Sequence, residues 1–593
     1  MFPIMKGSYL AGGLATAISL AGNVANANLL FRHQSGMHIG LGDDHHLSLE
    51  KRNAIAKRYN GQGTFDQLLD HGNPKLGTFQ QRFWYGTEYW KGPGYPVIVI
   101  NPGETNAQDY SWSYTTNTTL PGRYAQENGA AIIIVEHRYW GGSSPFDVLT
   151  VQNLTYLTLE NSLQDMVYFA KNFVPPFDTS GNSSSTNAPY IFLGGSYTGA
   201  IAHWLATLYP GEGFWAYHAV SAVVQAVGDF HNFFDPVFEY MPNNCSKDVT
   251  EVIDHIDRIL LYGTAEEKDS VKRSFGFEGT ADVDFAWALA TPLMWFQTTQ
   301  FSDGFNSIDS FCGFVENATG GEHIPGADGV GLEKALDGFA RYSKYELQGS
   351  CGGSYAAWEG TQSCWDTQEA SSPRYTDLSV NNLANRQWVW LLCNEPFEWW
   401  QTSTPRPLPT PNGTNGVISR LIDYESMRSW CIKFFPPPPV PNILLGKTFK
   451  DVNDFTKGGY LNINSPTKKL MHSNGALDPW RDATLASHVR PGGPLESTSD
   501  LPHFVIPGAT HCADLFATNW AANEHLASIV DAECETLGRW IGQFYEQTGK
   551  TWPGKIEDVS GVTTHVNSKE EMFKGTTRRR RSRRVRDERG YLP

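Results

Sequence analysis

Residues 190–199 read Tyr-Ile-Phe-Leu-Gly-Gly-Ser-Tyr-Thr-Gly, an apolar run followed by a glycine-rich turn with Ser196 at its tip. A helix-like stretch, residues 200–206, follows this turn. A strand that turns sharply into a helix exposes a serine hydroxyl and places a helix N-terminus behind it, and glycine tolerates the dihedrals that such a turn needs. The pattern predicts a nucleophilic serine on an α/β sheet. The alternative is a glycine-rich turn with an inert serine.

Two C-terminal segments are built in the same way, each an apolar run that ends in a glycine-containing turn. Residues 469–473 lead into a turn with Asp478, and residues 504–506 lead into a turn with His511. A serine nucleophile needs a base, and the base needs an orienting acid. Alone, the aspartate could be a cap and the histidine could be structural. The order Ser196, Asp478, His511 is the order of an α/β-hydrolase triad.

Further motifs in fixed order extend this pattern along the chain. They are residues 67–71 (QLLDH), 78–84 (TFQQRFW), 136–141 (EHRYWG) and 394–397 (NEPF), together with the three turns above. With them, about residues 62–547 resemble the serine peptidase family of prolyl carboxypeptidase and dipeptidyl-peptidase II, in particular the fungal acid prolyl endopeptidases. The resemblance implies that Ser196, Asp478 and His511 are nucleophile, acid and base, and that cleavage follows proline. It implies no metal and no organic cofactor.

Three alternatives to an endopeptidase remain open at this stage. A proline-specific dipeptidyl- or carboxypeptidase would share the same motifs. A lipase or esterase would share the fold, and a hydrolase-like binding protein would lack activity. The expected substrates are peptides or proteins that contain proline, and the oligomeric state, monomer or homodimer, is left open.

The charge distribution argues against a nucleic-acid partner. The 593-residue chain has a net charge of −16; residues 548–593 carry +6, so the remainder carries −22. An acidic body repels phosphate backbones. It also suits an acidic medium, because protonation of carboxylates relieves self-repulsion. The basic tail, which includes the arginine cluster at 578–586, is expected to be disordered.

The N-terminus predicts export from the cell. Lys6, the apolar stretch 9–21 and Ala25-Asn26-Ala27 form a signal peptide over residues 1–27. Residues 28–58 end in dibasic pairs and are interpreted as a pro-segment. No later segment is apolar for long enough to span a membrane. The protein is expected to be secreted, or alternatively delivered to an acidic vacuole- or lysosome-like compartment. Six glycosylation sequons support this: Asn117, Asn153, Asn182, Asn244, Asn317 and Asn412.

Eight cysteines point to disulfides rather than to metal binding, because none forms a C-x-x-C pair. Proximity along the chain suggests Cys393–Cys431 and Cys351–Cys364. Cys512 is either part of a bridge that fixes the histidine turn or a buried free thiol.

The strand and helix patterns predict an α/β-hydrolase with a largely helical, disulfide-stapled cap domain inserted between sheet strands. Apolar β-branched runs at 96–100 and 131–135 are typical of a parallel sheet that is buried on both faces. The predicted units are the hydrolase domain in two parts, 59–214 and 441–547, the cap at 215–440, and the tail at 548–593. The predicted helices are 158–173, 249–262, 281–290 and 523–547, and the last two strands are 469–473 and 503–506.

The neighbours of the triad suggest how substrate is held. Tyr197, with Gly103 or Glu104, would supply the N–H donors of an oxyanion hole. Trp480 is expected to form a wall of a proline pocket, faced by aromatic residues of the cap, Phe397, Trp399 and Trp400. Glu395 would hold a peptide amine or form an internal salt bridge.

Two further expectations concern charge. Glu136 and Arg138 are interpreted as a structural ion pair or a loop brace rather than as catalysts. Burial under the cap is expected to lower the pKa of His511, as a base that works in acid requires.

Overall fold

The computed structural model describes residues 60–303, 307–316, 326–347, 365–382, 384–404, 416–436, 447–466 and 468–550. Eight strands form the main sheet in the order β1-β2-β4-β3-β5-β6-β9-β10, and two strands, β7 and β8, pair separately. From β4 to β10 every neighbouring pair is parallel, whereas β2 is antiparallel to both of its neighbours. The strands are β1 (Asn60–Leu68), β2 (Thr78–Gly86), β3 (Val97–Ile100), β4 (Ala131–Val135), β5 (Tyr190–Gly195), β6 (Ala216–Val220), β7 (Val227–Asp229), β8 (Glu398–Trp400), β9 (Leu470–Gly475) and β10 (His503–Ile506).

Helices cover both faces of the sheet, and two clusters of buried apolar side chains lie against it. Strands β3, β4 and β5 are buried along their whole length, which explains their uninterrupted apolar sequences. The helices are α1 (Ser111–Tyr114), α2 (Leu120–Asn128), α3 (Val151–Leu154), α4 (Leu159–Asn172), α5 (Tyr197–Leu208), α6 (Asp235–Tyr240), α7 (Asn243–Tyr262), α8 (Ala265–Phe275), α9 (Asp282–Met294), α10 (Ser307–Val315), α11 (Leu332–Tyr342), α12 (Pro373–Thr376), α13 (Arg386–Asn394), α14 (Tyr424–Phe434), α15 (Phe449–Phe455), α16 (Ala517–Ala522) and α17 (Glu524–Thr548).

The predicted α/β-hydrolase fold with a helical cap is confirmed, but the start of the cap at residue 215 is wrong. Strand β6 lies between β5 and β9 in the main sheet, so the insertion begins after Val220. The sequence does not indicate this strand, because it is only five residues long and has a histidine, His218, at its centre. The antiparallel hairpin of β1 and β2 was also not predicted, because residues 60–68 hold few β-branched or apolar residues.

Two disulfides brace the cap within the described residues. Cys393–Cys431 joins α13 to α14 as predicted, and Cys245–Cys312 joins α7 to α10, a pairing that was not predicted. Cys351 and Cys364 lie outside the described residues. Cys512 and Cys534 are free and buried, so the bridge proposed for Cys512 is wrong and the free-thiol alternative holds.

Other predictions fall outside the described residues. These are the signal peptide, the pro-segment, the basic tail and the sequons at Asn317 and Asn412. Asn117 and Asn182 are exposed, Asn153 and Asn244 are half-buried, and glycosylation at all four stays a prediction. None of the described helices is both long and apolar enough to cross a bilayer.

Candidate active site

Ser196 stands between β5 and α5 in a strained backbone conformation, with φ of 58° and ψ of −124°. Glycines make this turn possible. A Cβ atom on Gly194 would lie 2.1 Å from the Thr198 carbonyl oxygen, and one on Gly199 would lie 2.5 Å from that of Val220. The Ser196 N–H donates to the Val220 carbonyl at 2.9 Å, which fixes the turn to β6. Strain held in this way is typical of functional turns.

Asp478 and His511 follow β9 and β10 and meet at the same edge of the sheet as Ser196. His511 Nδ1 lies 2.8 Å from Asp478 Oδ2 and 3.0 Å from Oδ1. Both side chains are buried, and His511 Nε2 has no hydrogen-bond partner among the described residues. Since Nδ1 is held by the carboxylate, the Nε2 lone pair is available to accept a proton.

The turn that carries His511 is fixed by its neighbour, Cys512. This residue has a positive φ of 53°, and its N–H donates to Ser221 Oγ at 2.9 Å. Its sulfur would lie 3.3 Å from a Cβ atom on Gly195, so the thiol packs behind the nucleophile turn. Burial raises the pKa of the Cys512 thiol, which favours its protonated, less nucleophilic form.

The pKa of His511 moves opposite to the expected direction. Burial is the largest single influence and lowers the pKa of the ring, but the Asp478 carboxylate and the Cys512 thiol together hold the pKa well above its ordinary value. Desolvation alone therefore does not decide the direction of the shift.

The predicted oxyanion donors lie at the ends of neighbouring strands. The Gly103 N–H already donates to Asn101 Oδ1 at 2.8 Å, so this residue is not an available donor, and Tyr197 and Glu104 stay candidates. The Glu104 side chain is an unexpected feature. It is 3% exposed, neither carboxylate oxygen has a hydrogen-bond partner within the described residues, and burial raises its pKa to about 8.

The four predicted pocket aromatics form one buried cluster. The Trp480 ring makes an edge contact with Trp399 at 6.2 Å between centroids, and Trp399 stacks on Phe397 at 4.7 Å. Trp480 also lies 6.4 Å from the His511 ring. A small cavity among these rings is lined by Leu392, Trp399, Trp400, Gln401 and Trp480. The cap and the Asp478 turn therefore meet through flat apolar walls next to the base.

Glu395 is engaged inside the protein. Its carboxylate accepts the Leu159 N–H at 3.0 Å and lies 3.5 Å from Lys447 Nζ. Glu395 was expected either to hold a peptide amine or to form an internal salt bridge, and this geometry is that of the salt bridge.

Glu136 and Arg138 are braces, but they do not pair with each other as predicted. Glu136 is paired with Arg82, at 2.6 Å between Oε1 and Nη2, and Arg138 is paired with Asp165. Both residues lie beyond the end of β4, and each is held by a partner from another segment of the chain.

The chain matches the family described as serine carboxypeptidase S28 over residues 67–529. The chain belongs to the S28 serine peptidase family. This S28 chain is 37% identical over 513 residues to the serine protease vicPb of Bipolaris victoriae (strain FI3), an alignment that covers 85% of this chain and 93% of the other. It is 27% identical to a probable extracellular serine carboxypeptidase of Arthroderma benhamiae, covering 73% and 59% of the two chains. It is 23% identical to the lysosomal Pro-X carboxypeptidase of Homo sapiens, covering 84% and 91%.

Among solved structures, the chain aligns with a lipase in its open form. The TM-score is 0.29 and the identity is 12%, over 81% of this chain and 99% of the lipase chain. This likeness is too weak to bear on the site. The S28 membership confirms the family resemblance. The S28 chain is a serine-type peptidase, so the lipase or esterase alternative loses its support.

Several residues that lie near the Asp478 and His511 turns were not predicted from the sequence. Asp514, three residues after His511, joins His218 and Glu533 in a buried cluster whose nearest ligand atoms lie within 4.8 Å of one another. The proximity of Asp514 to His511 in the chain could have signalled its importance. Gln297 and Gln300 of the cap contact the Asp478 and His511 turns. They carry no local signal, because 183 and 211 residues separate them from their partners.

Proposed function

We propose that Ser196, Asp478 and His511 form the catalytic triad of a peptidase that cleaves on the carboxyl side of proline. The observation that carries this proposal is the buried His511–Asp478 contact with an unpartnered Nε2, at the sheet edge where the strained Ser196 turn ends.

The mechanism follows from these positions. His511 Nε2 takes the Ser196 hydroxyl proton while the oxygen attacks the carbonyl carbon of the prolyl residue. Backbone N–H groups, for which Tyr197 and Glu104 are the candidates, stabilise the negative charge on the carbonyl oxygen. His511 then protonates the leaving amine. An acyl-enzyme remains on Ser196, and a water activated by the same imidazole hydrolyses it.

The preference for proline rests on the aromatic cluster. A prolyl ring is compact and apolar and lacks an N–H, so it favours flat walls with few hydrogen-bond donors. Trp480 and Trp399 offer such walls, and their indole N–H groups point elsewhere, to Gln297 and to the Gln225 carbonyl. A relative that carries the name Pro-X carboxypeptidase supports the same preference.

Cleavage within a chain and removal of terminal residues remain two versions of this function. The relatives named as carboxypeptidases favour the exopeptidase. The internal pairing of Glu395 weakens the dipeptidyl-peptidase alternative, because it occupies the carboxylate that was expected to hold a terminal amine. We propose an endopeptidase, as the resemblance to the fungal prolyl endopeptidases implies. We expect it to be secreted, with an acidic vacuole- or lysosome-like compartment as the alternative destination.

The ionisable groups of the site act in opposite directions on the acidic working range that the sequence suggested. Buried carboxyl groups with raised pKa values, Glu104 and Asp514, are neutral in acid. The raised pKa of His511 acts in the opposite direction, because a protonated imidazole cannot serve as the base. The acid limb of kcat/KM is accordingly expected at or above about 6.5, the ordinary value for imidazole, which corresponds to a working range near neutral pH and not in acid.

A fluorophosphonate probe tests the proposed nucleophile. The probe should label the unaltered protein on Ser196, as located by peptide mass spectrometry, and should fail to label Ser196→Ala. Ser528→Ala, which removes an exposed hydroxyl on α17, is the matched control and should be labelled normally. Absence of labelling in the unaltered protein, or labelling that persists in Ser196→Ala, would reject the triad.

A further inference from the structure

One short segment of the cap touches both catalytic turns. It comprises residues 297–300, which end the 3₁₀ turn Trp295–Thr298 and continue past it. Its first residue, Gln297, accepts the Trp480 indole N–H at 2.8 Å. Trp480 in turn donates its backbone N–H to Asp478 Oδ1 at 2.9 Å. The Asp478 turn is thus tied to the cap through one tryptophan.

The His511 turn is tied to the other end of the same segment. Gln300 Nε2 donates to the His511 carbonyl at 3.2 Å, and the Thr510 hydroxyl donates to the Thr299 carbonyl. Asn519 completes the contact, because its amide donates to Gln300 Oε1 at 2.7 Å and to the Ala513 carbonyl at 2.8 Å. Both ends of the His511 turn are therefore held.

These contacts are buried, so their geometry is well defined. Gln297 is 5% exposed, Gln300 is 7% exposed and Asn519 is fully buried. Buried amides are costly to leave unpaired, so the segment favours one position relative to the two turns. The turns, by contrast, lie on loops beyond β9 and β10, and the hydrogen bond that joins Asp478 to His511 depends on their separation.

We propose that Gln297 and Gln300 are positioning residues, through which the cap sets the separation of the Asp478 and His511 turns and makes the triad competent. This inference rests on the proposed triad. The residues touch no reacting atom; they act through Trp480 and through the His511 backbone. A displacement of about 1 Å at a catalytic group can lower a rate by roughly 100-fold, so a modest loosening of the cap has a measurable effect.

The test compares variants that remove a single polar group at nearly constant length. Gln297→Met removes the acceptor for Trp480, Gln300→Met removes the donor to His511, and Gln297→Glu keeps an acceptor oxygen and serves as rescue. Trp390→Phe is the control, because it removes another hydrogen bond between cap and body, to the Leu157 carbonyl at 3.0 Å, away from both turns.

The expected result is a fall in kcat of roughly 10- to 100-fold for both methionine variants with KM nearly unchanged. The acid limb of kcat/KM should also move to lower pH, because a weaker Asp478 contact no longer holds the His511 pKa up. Gln297→Glu and Trp390→Phe should retain kcat and the limb. Methionine variants that lose only thermal stability, or that change only KM, would overturn the proposal.

A readout that needs no activity separates this inference from the proposed function. The downfield proton resonance of the His511 Nδ1–H bound to Asp478 should shift or broaden in both methionine variants and stay unchanged in Trp390→Phe. An unchanged resonance in the methionine variants would overturn the positioning role, whether or not the protein cleaves peptides. Failure of fluorophosphonate labelling in the unaltered protein would instead reject the triad alone.

Discussion

Ser196 combines a positive φ with nearly complete burial. The left-handed conformation is costly for a residue with a side chain, and it persists because Gly194 and Gly199 let the neighbouring strand and helix approach. The turn is therefore a specific construction around one hydroxyl.

Removal of that hydroxyl should abolish catalysis and leave the fold intact. Ser196→Ala is expected to lower kcat by about 10³-fold or more, His511→Ala by a similar factor, and Asp478→Asn by somewhat less. Activity assays on purified, secreted variants with unchanged circular dichroism would measure this. Near-normal turnover by Ser196→Ala would contradict the mechanism.

Glu104 should set the alkaline limb of activity. Its pKa is raised to about 8 by burial, so the side chain is neutral below that pH and becomes an anion near the triad above it. A negative charge there opposes the charge that develops on the substrate oxygen. We expect kcat/KM to fall as the pH rises through about 8, and Glu104→Gln, which cannot ionise, to remove this fall.

A second buried glutamate provides the control for this pH profile. Burial is the main reason why the pKa of Glu316, a residue of the cap, is raised to about 7. Its carboxylate accepts a hydrogen bond from the Asn244 amide, and no hydrogen bond joins it to Ser196, Asp478 or His511 among the described residues. Glu316→Gln should leave the alkaline limb in place. If Glu104→Gln leaves it in place as well, Glu104 does not control the limb.

Trp480 should determine the preference for proline. Trp480→Ala removes a stacking wall, so the ratio of kcat/KM for proline over alanine substrates should fall roughly 10- to 200-fold. Trp480→Phe keeps a flat ring and should preserve the ratio, although it loses the bond to Gln297. Equal losses for both substrates in Trp480→Ala would make this residue a brace for the Asp478 turn only.

Between elements, the most unusual feature is the buried cluster that joins the His511 turn to α17. His218 Nε2 lies 3.0 Å from Ser473 Oγ and 4.0 Å from Glu533 Oε1, and Tyr124 bonds to the other ring nitrogen at 2.9 Å. Burial lowers the pKa of His218 to about 3, so the ring is neutral. Arg123 acts on Glu533 only at a distance. Burial and their mutual repulsion therefore favour the protonated forms of the two carboxyl groups in this cluster, Asp514 and Glu533.

This cluster predicts greater stability in acid. Burial raises the pKa of Asp514 to about 6 and holds that of Glu533 well above its ordinary value. An acid with a raised folded pKa adds stability that is complete below its unfolded value, about 4, and is lost as the pH rises through the folded value. For Asp514 alone this amounts to about 3 kcal/mol between pH 4 and 6.

Denaturant unfolding of the inactive Ser196→Ala protein between pH 4 and 8 measures this effect without self-digestion. Glu533→Gln keeps the shape of the side chain and removes one charge, so its stability should depend less on pH. An identical pH dependence in Glu533→Gln would contradict the account. A loss of stability on addition of a chelator would show that the cluster holds a cation instead of protons.

Local patterns explain how much could be predicted at the level of elements. The Ser196 turn, the Asp478 and His511 turns and the apolar strands are each encoded within about ten residues, and all appear where the sequence indicates. Strand β6 and the β1–β2 hairpin were missed because their short or polar sequences depend on the sheet around them. The expected direction of the His511 pKa shift was wrong because the shift depends on Asp478, which lies 33 residues away in the sequence.

At the scale of the whole molecule, the cap and the sheet act as one unit. The cap supplies aromatic walls and the contacts of Gln297 and Gln300, whereas the sheet supplies the three catalytic turns. Under the proposed function a peptide enters between them, and we expect the position of the cap to decide whether an internal or a terminal segment is accepted. Which peptide bond is cleaved therefore depends on the cap and the sheet together and not on one residue.

The most direct measurement of the central claim uses one long peptide with both ends blocked and a single internal proline. The protein and its Ser196→Ala variant are incubated with this peptide, and the products are identified by mass spectrometry. The account predicts two products from the unaltered protein, divided at the bond after proline, and none from Ser196→Ala. Cleavage at other bonds, no cleavage of the blocked peptide, or equal cleavage by Ser196→Ala would contradict it.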